Sequence, residues 1–489
     1  MMSTKYDQQK QQEVSRRGFM RDAMAVAAGA GMAAGAAKTA RADVYKSILP
    51  STVLGANEMI RTGHIGVGGM GRADLKFTLM RDDMMPIAIC DLYPKQLADD
   101  RAGGMAKSKN PNVTTHHDFR EIIDNKDVDA VVIATPDHWH CLPVLYAADA
   151  GKDIYCEKPL STTLAEANAM MKKIADTKVV FQGGTMQRSG EQFQQAVELV
   201  RSGYIGKVAH VETYIHDDEP ITGIGMGSDA DNLEKDQKVP YSLVDWNFHQ
   251  GWVEHKPFNS NRWIYNFRWF LDYSGGKITD WGAHLIDIAI WAMGQEKQPK
   301  TVVATGGKYI LQDNRTTPDT LEVLWEFEDY TMSFKNRVWN EFVPIARVSD
   351  SGKPVPWGPH GIVFHGTLGT LRVDRGGYQV YPVQNNGKPA EEKSFQADEP
   401  ELTMNHPHWQ NFADCIRSRE RCICDAPVIG QTTTLCHMGT AAYVSGGKLR
   451  WNAEIRKFDG DDAATQRANE FAYRPYLNGW SLEAPYYRA

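Results

Sequence analysis

Four stretches of this chain set reactive or ligand-holding residue types at spacings that chemistry requires. The first is Gly66-Val67-Gly68-Gly69-Met70-Gly71, a G-x-G-x-x-G run between an apolar stretch (60–66) and a helical pattern through Leu75, Phe77 and Leu79. In such a turn the first glycine permits a tight bend and the second lets a pyrophosphate approach the backbone. The third lets helix and strand pack closely. The helix start adds free N–H groups and a positive dipole end for the phosphates. The second is Asp91, which closes another apolar stretch (86–90) about twenty residues further on. A carboxylate there accepts from the adenosine ribose hydroxyls and repels a 2′-phosphate, which favours NAD over NADP. A tight β-turn-α of some other doubly wound fold remains the alternative for the glycine run.

The third is the pair of segments Thr135-Pro136-Asp137-His138-Trp139-His140 and Glu157-Lys158-Pro159, each following an apolar strand pattern. A lysine at a strand end beside the cofactor can hydrogen-bond a substrate hydroxyl and stabilise the alkoxide as hydride leaves. Taken alone, Lys158 also fits a surface lysine before a turn proline. The fourth is Asp280 with His284, one helical turn apart at the start of a helix predicted over 280–293. Leu285, Ile288, Ala289 and Ala292 give that helix an apolar stripe toward a core. By residue type alone Asp280 also fits an N-cap or first-turn dipole partner, and His284 a satisfied core histidine.

The elements that must position these groups alternate. Strand patterns at 128–134, 153–156 and 179–181 alternate with helical ones at 138–150 and 164–175, as in a doubly wound parallel sheet. Ligands of such sheets bind beyond the C-terminal strand ends, where the quoted motifs lie. Further on, 302–310, 321–327 and 331–338 read as sheet strands, and 405–417 and 432–443 as closing helices. Residues 216–240 are acidic and Gly-rich and read as a solvated loop. Residues 245–270 hold Trp246, Trp252, Trp263, Tyr265, Trp269 and Phe270 beside Arg262 and Arg268, which fits either a sugar platform or oligomer packing.

The chain has 489 residues and a net charge of -7, so two domains fit its length, and no broad basic field exists to hold nucleic acid. Cys90, Cys141 and Cys156 fall in apolar runs and read as small buried hydrophobes. Cys415, Cys422, Cys424 and Cys436 lie closer together, near His408 and His437, but without a C-x-x-C pair. A zinc or disulfide site is therefore disfavoured and no metal is expected.

Near the start, Arg16-Arg17 within Ser15-Arg16-Arg17-Gly18-Phe19-Met20-Arg21 form a twin-arginine pattern. An uncharged Ala/Gly-rich segment (23–37) and Ala40-Arg41-Ala42, a small-x-small cleavage site, follow. The apolar stretch is too short for a membrane anchor. The expectation is export of the folded chain by the twin-arginine translocase to the periplasm. Folding would then precede any disulfide formation, and the cofactor would stay bound where no nicotinamide pool exists.

The glycine turn, "ATPDHWH", "EKP", "GGKITDWGAHLIDIAIW", "GANEMIR" and "NFADCIRSRERCICD" together resemble the glucose-fructose oxidoreductase/inositol dehydrogenase/MocA family in its exported form. The resemblance implies an α/β fold: an N-terminal Rossmann domain, then a C-terminal α/β domain with a large open mixed sheet that often oligomerises, here as a homodimer or homotetramer. The expected division is 1–42 signal, 43–60 arm, 61–183 NAD-binding domain, 184–450 substrate domain and 451–489 tail. It implies Lys158, Asp280 and His284 as catalytic residues. Cofactor binding is expected of Gly66, Gly68, Gly69, Met70, Gly71, Asp91, Thr135, Pro136, His140, Glu157 and Lys158. Arg188, Arg268 and Trp269 are expected to join Asp280 and His284 at the substrate. Gly183-Gly184-Thr185-Met186-Gln187-Arg188 departs from the Asn-Arg-Arg type run of many relatives, so an inositol substrate does not carry over. The expected activity is NAD-dependent oxidation of a sugar or polyol hydroxyl. The alternative is redox-neutral glycoside cleavage or epimerisation through a transient keto-sugar.

Overall fold

Apolar runs capped by turn residues set up the first sheet. The computed structural model describes residues 59–229, 245–343, 346–348, 354–384 and 387–488. The twin-arginine segment, its cleavage site and most of the arm lie outside them, as do 230–240 of the acidic loop and the four residues after it. Six strands, β1 (Ile60–Ile65), β2 (Met84–Cys90), β3 (Thr114–His116), β4 (Ala130–Ile133), β5 (Asp153–Cys156) and β6 (Phe181–Gly183), pair in parallel in the order β3-β2-β1-β4-β5-β6. Strands β4 and β5 are buried along their whole length, as a sheet covered on both faces requires. Helices α1 (Gly69–Leu79), α2 (Ala102–Lys109), α3 (Phe119–Asp124), α4 (Cys141–Asp149) and α5 (Leu164–Thr177) connect them. Helix α5 starts with a capping box, in which Thr163 accepts from the Glu166 N–H and Glu166 reaches back to the cap backbone. The helix expected from 138 starts only at Cys141, because 137–139 form a tight turn.

Helix α6 (Glu191–Arg201) leads into β7 (Val208–His216). After α7 (Trp246–Gln250) come α8 (Lys277–Asp280) and α9 (Gly282–Met293). The single helix expected over 280–293 is thus two, joined at Trp281. The His284 N–H bonds back only three residues, to the Trp281 carbonyl, so the Asp280 carbonyl is released from the helix. Strands β8 (Thr301–Gly307), β9 (Thr320–Glu326), β10 (Thr331–Arg337), β11 (Ala346–Val348), β12 (Pro354–Pro356), β13 (His360–Gly366), β14 (Gly369–Asp374), β15 (Gly377–Pro382) and β16 (Lys393–Gln396) follow. Helices α10 (Pro400–Ser418) and α11 (Ala426–Ser445), strands β17 (Leu449–Asn452) and β18 (Lys457–Asp459), and α12 (Ala463–Ala472) complete the described chain.

The second sheet has ten strands in the order β16-β15-β14-β13-β7-β10-β9-β8-β17-β18, antiparallel except where β10 runs parallel to β7. Val323, Trp325, Met332 and Phe334 on one face join Ile278, Leu285, Ile288 and Met438 from the helices in one apolar cluster. On β9 the intervening residues Glu322, Leu324 and Glu326 are exposed, a half-buried alternation. Two findings revise the expected division. Residues 451–488 pack on both cores: Trp451 and Phe458 lie in the second, and Trp480 and Tyr486 in the first. Helix α10 also crosses back, its Trp409 and Phe412 packing on Tyr155, Ala130 and Val132 of the first sheet.

Candidate active site

The turn after β1 has the shape of a dinucleotide cradle. Gly66 has φ +81, and a Cβ there would sit 2.8 Å from the Ala134 carbonyl. A Cβ on Gly71 would lie 1.9 Å from the Gly66 oxygen, so α1 packs against the turn only because that residue is glycine. At Gly68 and Gly69 a Cβ would meet open space, apart from the Gln96 side chain 4.0 Å from the former. Helix α1 has no side-chain cap, and Met70 is exposed at its first turn. Uncapped N–H groups facing open space fit a pyrophosphate. Asp91 stands at the end of β2, its carboxylate accepting from Val67 N–H (2.9 Å) and Tyr93 N–H (2.8 Å). Burial pushes that carboxyl up to about 6 against the pull of those N–H groups.

Ala134, Thr135 and Pro136 are partly exposed beyond β4, and the Thr135 hydroxyl closes the next turn by donating to the Trp139 carbonyl (3.0 Å). His140 is buried, with Nδ1 2.7 Å from the Pro159 carbonyl and Nε2 2.9 Å from the Thr135 carbonyl. Its ring therefore ties the β4 and β5 ends together; a neutral imidazole donates to one of these oxygens at a time. Glu157 also points inward, accepting from Lys158 N–H (3.3 Å), and burial pushes its carboxyl up to about 7.

Lys158 crosses from the first sheet to the second half of the chain. Its ammonium donates to the Asp280 carboxylate Oδ1 at 2.7 Å and to the Asp280 carbonyl at 3.0 Å. The helix break at Trp281 supplies that second acceptor. Burial alone would raise the Asp280 carboxyl; Lys158, Arg268 and Lys277 outweigh it and hold it well below the usual carboxylate range. His284 is buried, and its Nδ1 has no partner among the described residues. Burial, then Lys158 and Arg375, hold its pKa well below the ordinary value, so the ring is the neutral imidazole and its protonated form is disfavoured.

The structure brings Arg268 to this group, its Nε 3.7 Å from Asp280 Oδ1 and its guanidinium over the exposed Tyr265 ring. Arg188 and Trp269 are not brought there. Arg188 is buried against Asp287 (2.6 and 2.9 Å) and Gln295 (2.5 Å), which commits its donors to holding α9. Trp269 is buried between Lys277 and Arg315. Neither offers a free face to a substrate. Trp246, Trp252 and Trp263 are likewise core: Trp252 donates to the His138 carbonyl, and Trp139 to that of His249 (both 2.7 Å). Most of the aromatic segment is thus packing around the 135–140 turn, while Tyr265 stands exposed beside Arg268.

Sequence reasoning missed Gln187, Arg375 and His360. Gln187 binds the His284 carbonyl through Nε2 (3.1 Å) and accepts from Arg375 through Oε1 (3.2 Å). Arg375 stacks on Trp281 at 4.5 Å, and the His360 ring lies 4.6 Å from the same indole. The His360 Nε2 is buried with no partner among the described residues, and burial takes its pKa to about 4. The only sequence signal was the departure at 186–187. Among the described residues no His/Cys/Asp/Glu group is arranged to hold a metal, and all seven cysteines are free.

No helix of the described residues is long and apolar enough to cross a membrane. The family model for the GFO/IDH/MocA oxidoreductase family, NAD-binding Rossmann fold, matches residues 60–185, and that for the GFO/IDH/MocA C-terminal domain matches 240–372. An uncharacterized oxidoreductase of Streptococcus pneumoniae is 25% identical over 65% of this chain and 69% of its own length. A glycosyl hydrolase family 109 protein of Stenotrophomonas maltophilia is 29% identical over 43% of this chain, which spans 47% of that relative. A solved structure of levoglucosan dehydrogenase in complex with NADH and levoglucosan superposes with a TM-score of 0.58 at 19% identity, covering 80% of this chain and 99% of that one. With the cradle, the acidic β2 end and both family domains in order, the chain belongs to the GFO/IDH/MocA family of NAD-binding oxidoreductases.

Proposed function

We propose that this protein moves hydride between a retained NAD and a hydroxyl-bearing carbon of a sugar or polyol. The observation that carries the reading is Lys158 held by Asp280 beside a neutral His284. NAD, when bound on the glycine turn, supplies the hydride acceptor and donor. Asp280 uses two of the three Lys158 N–H groups and leaves the third for a substrate oxygen. That contact strengthens as the hydroxyl becomes an alkoxide. His284 takes the hydroxyl proton and returns it in the reverse step. Arg268 flanks the same carboxylate and is the substrate-side donor.

A second reading has a specific support, the likeness to a glycosyl hydrolase family 109 protein. Transient oxidation at one sugar carbon acidifies the neighbouring C–H, so the same residues would serve elimination of a glycosidic group before hydride returns. We take the twin-arginine pattern as an export signal, which suits a cofactor regenerated within each cycle in the periplasm. We also take the enzyme to act as a homodimer or homotetramer. The test incubates the purified holoprotein with free sugars and aryl glycosides and identifies products by mass spectrometry. Stoichiometric NADH with a ketose or lactone supports net oxidation; aglycone release without NADH supports the redox-neutral route. Lys158→Ala and His284→Ala should lose either turnover and still carry NAD. Full turnover in both variants would refute the site.

A further inference from the structure

Tyr265 is the exception to inward packing in the aromatic segment. Trp246, Trp252, Trp263, Trp269 and Phe270 are buried, whereas Tyr265 is 66% exposed. Its backbone is also unfavourable, with φ 63 and ψ −56, and the Asn266 N–H donates back to the Ile264 carbonyl at 2.8 Å. That is a three-residue γ-turn of the rare, strained kind, at a positive φ that glycine adopts most readily. A bulky ring thus stands where no side chain would suit the turn better. Such outliers persist where the surroundings over-determine them, and they cluster at active sites and ligand clamps. Here Asn266 donates to Asn261 Oδ1 (3.1 Å), and Asn261 donates to the Ile224 and Gly225 carbonyls (3.2 and 3.1 Å).

Arg268 ties this ring to the Lys158–Asp280 pair. Its Nη1 donates to the Tyr265 carbonyl at 2.7 Å, and its guanidinium lies 4.3 Å from the ring centroid. Its Nε is 3.7 Å from the Asp280 Oδ1 that Lys158 holds. The ring therefore stands one guanidinium beyond Asp280, within the span of a two-ring ligand. We propose that Tyr265 is a platform for a second ring, the sugar or aromatic aglycone joined to the pyranose that meets Lys158. The substrates preferred are accordingly glycosides over free monosaccharides. This rests on the hydride-transfer reading of Lys158, Asp280 and His284. A flat side chain with only two torsions, one face already clamped by a cation, offers its other face at small entropic cost. A phenyl ring stacks on that face, and a pyranose lays its C–H face against it.

The NADH-loaded full chain cannot take hydride from an alcohol, so calorimetric titration of it reads binding alone. The probes are matched methyl and phenyl pyranosides of the gluco, galacto and manno series, with and without a 2-acetamido group. In at least one pair the phenyl glycoside should bind roughly 3- to 10-fold tighter than its methyl partner. Tyr265→Phe should keep that preference. Tyr265→Ala and Tyr265→Gly should abolish it and leave the affinity for the methyl glycoside unchanged. Tyr265→Gly should also keep or raise Tm, because it relieves the turn. A parent without phenyl preference in any pair, or a preference that survives Tyr265→Ala, would overturn the proposal. So would equal weakening of both glycosides in Tyr265→Ala, or a Tm several degrees lower in Tyr265→Gly, since either makes the ring a structural part. Turnover that survives Lys158→Ala and His284→Ala, with the phenyl preference still lost in Tyr265→Ala, would strike the hydride reading and leave the platform standing.

Discussion

Lys158 reaches two oxygens of one residue, the Asp280 carboxylate and carbonyl, from a compact ammonium. A guanidinium keeps the charge but spreads it over a planar fork that cannot converge on both oxygens and still meet a substrate oxygen. Lys158→Arg is therefore expected to lower kcat by about 10²–10⁴-fold, the range of a lost acid–base or alkoxide contact, with NAD still bound. Steady-state kinetics beside cofactor absorbance checks this, and a kcat within a few-fold of the parent would contradict it. Arg188 plays a different part. Its ion pair with Asp287 is buried, and the Thr432 hydroxyl also donates to that carboxylate (2.7 Å). Arg188→Leu leaves Asp287 without its cation and should cost about 3–5 kcal/mol in denaturant unfolding. An unchanged unfolding midpoint, with only KM raised, would restore Arg188 to the substrate.

At the scale of elements, the glycine turn separates binding from folding. Gly68 has ordinary negative φ (−73) and open space before it, whereas a Cβ on Gly71 meets the Gly66 oxygen at 1.9 Å. Gly68→Ala should therefore weaken NAD binding, read by titration, and move the Tm of the cofactor-free protein by no more than a degree or so. Gly71→Ala should lower both. Equal losses of Tm in the two would show that the turn, and not a ligand, fills the space at Gly68. This half was legible in the sequence because each physical requirement leaves a residue mark: glycine where the backbone closes up, acid at a strand end, continuous apolar runs for covered strands. The α8–α9 junction left only a weak mark, Gly282 after Trp281, which lowers helix propensity without fixing a break. The break itself is held by tertiary pull, with Lys158 taking the Asp280 carbonyl. Gln187, Arg375 and His360 were illegible for a related reason, since they meet only through the second sheet. The aromatic segment stayed open in the sequence because side chains that stack on sugars also make cores, and only burial separates Trp246, Trp252, Trp263, Trp269 and Phe270 from the exposed Tyr265.

Across the whole molecule, many histidines are buried and neutral. Burial takes His64 and His249 to about 3, and His360, His408 and His437 to about 4. The unfolded chain binds protons at these rings below about pH 6.5 while the folded one does not. Stability is therefore intact above about pH 6.5 and falls as pH drops toward the folded values, by roughly 3 kcal/mol for one ring such as His408. Glu157 has the opposite sign. Its folded value of about 7 means that stability present below the ordinary carboxylate range is lost as pH rises to about 7. Asp91, pushed up to about 6, and the buried Asp74 and Glu166 share that sign, so the carboxyls offset part of the histidine slope and Tm should fall between pH 6.5 and 4 by less than the histidines alone would give. His408→Asn should flatten that slope, and an identical slope would contradict this account.

The remaining whole-molecule question is what meets the outer face of the ten-stranded sheet. Val303 and Leu324 are direct cross-strand partners on β8 and β9, 36% and 40% exposed, with the helices packed on the opposite face. Both are β-sheet formers turned to solvent, between Glu322 and Glu326 on one side and Thr305 and Thr301 on the other. A single exposed aliphatic would need no explanation, but a paired couple on an uncovered sheet fits a self-complementary contact about a two-fold axis. If copies associate there, Val303→Lys with Leu324→Lys sets like charges against each other across the axis and should shift sedimentation from the oligomer to the monomer. Tm would fall only modestly, because neither side chain faces the core. An oligomer unchanged by the double substitution would move the contact to another surface, and a monomeric parent would remove the homo-oligomer from the proposal.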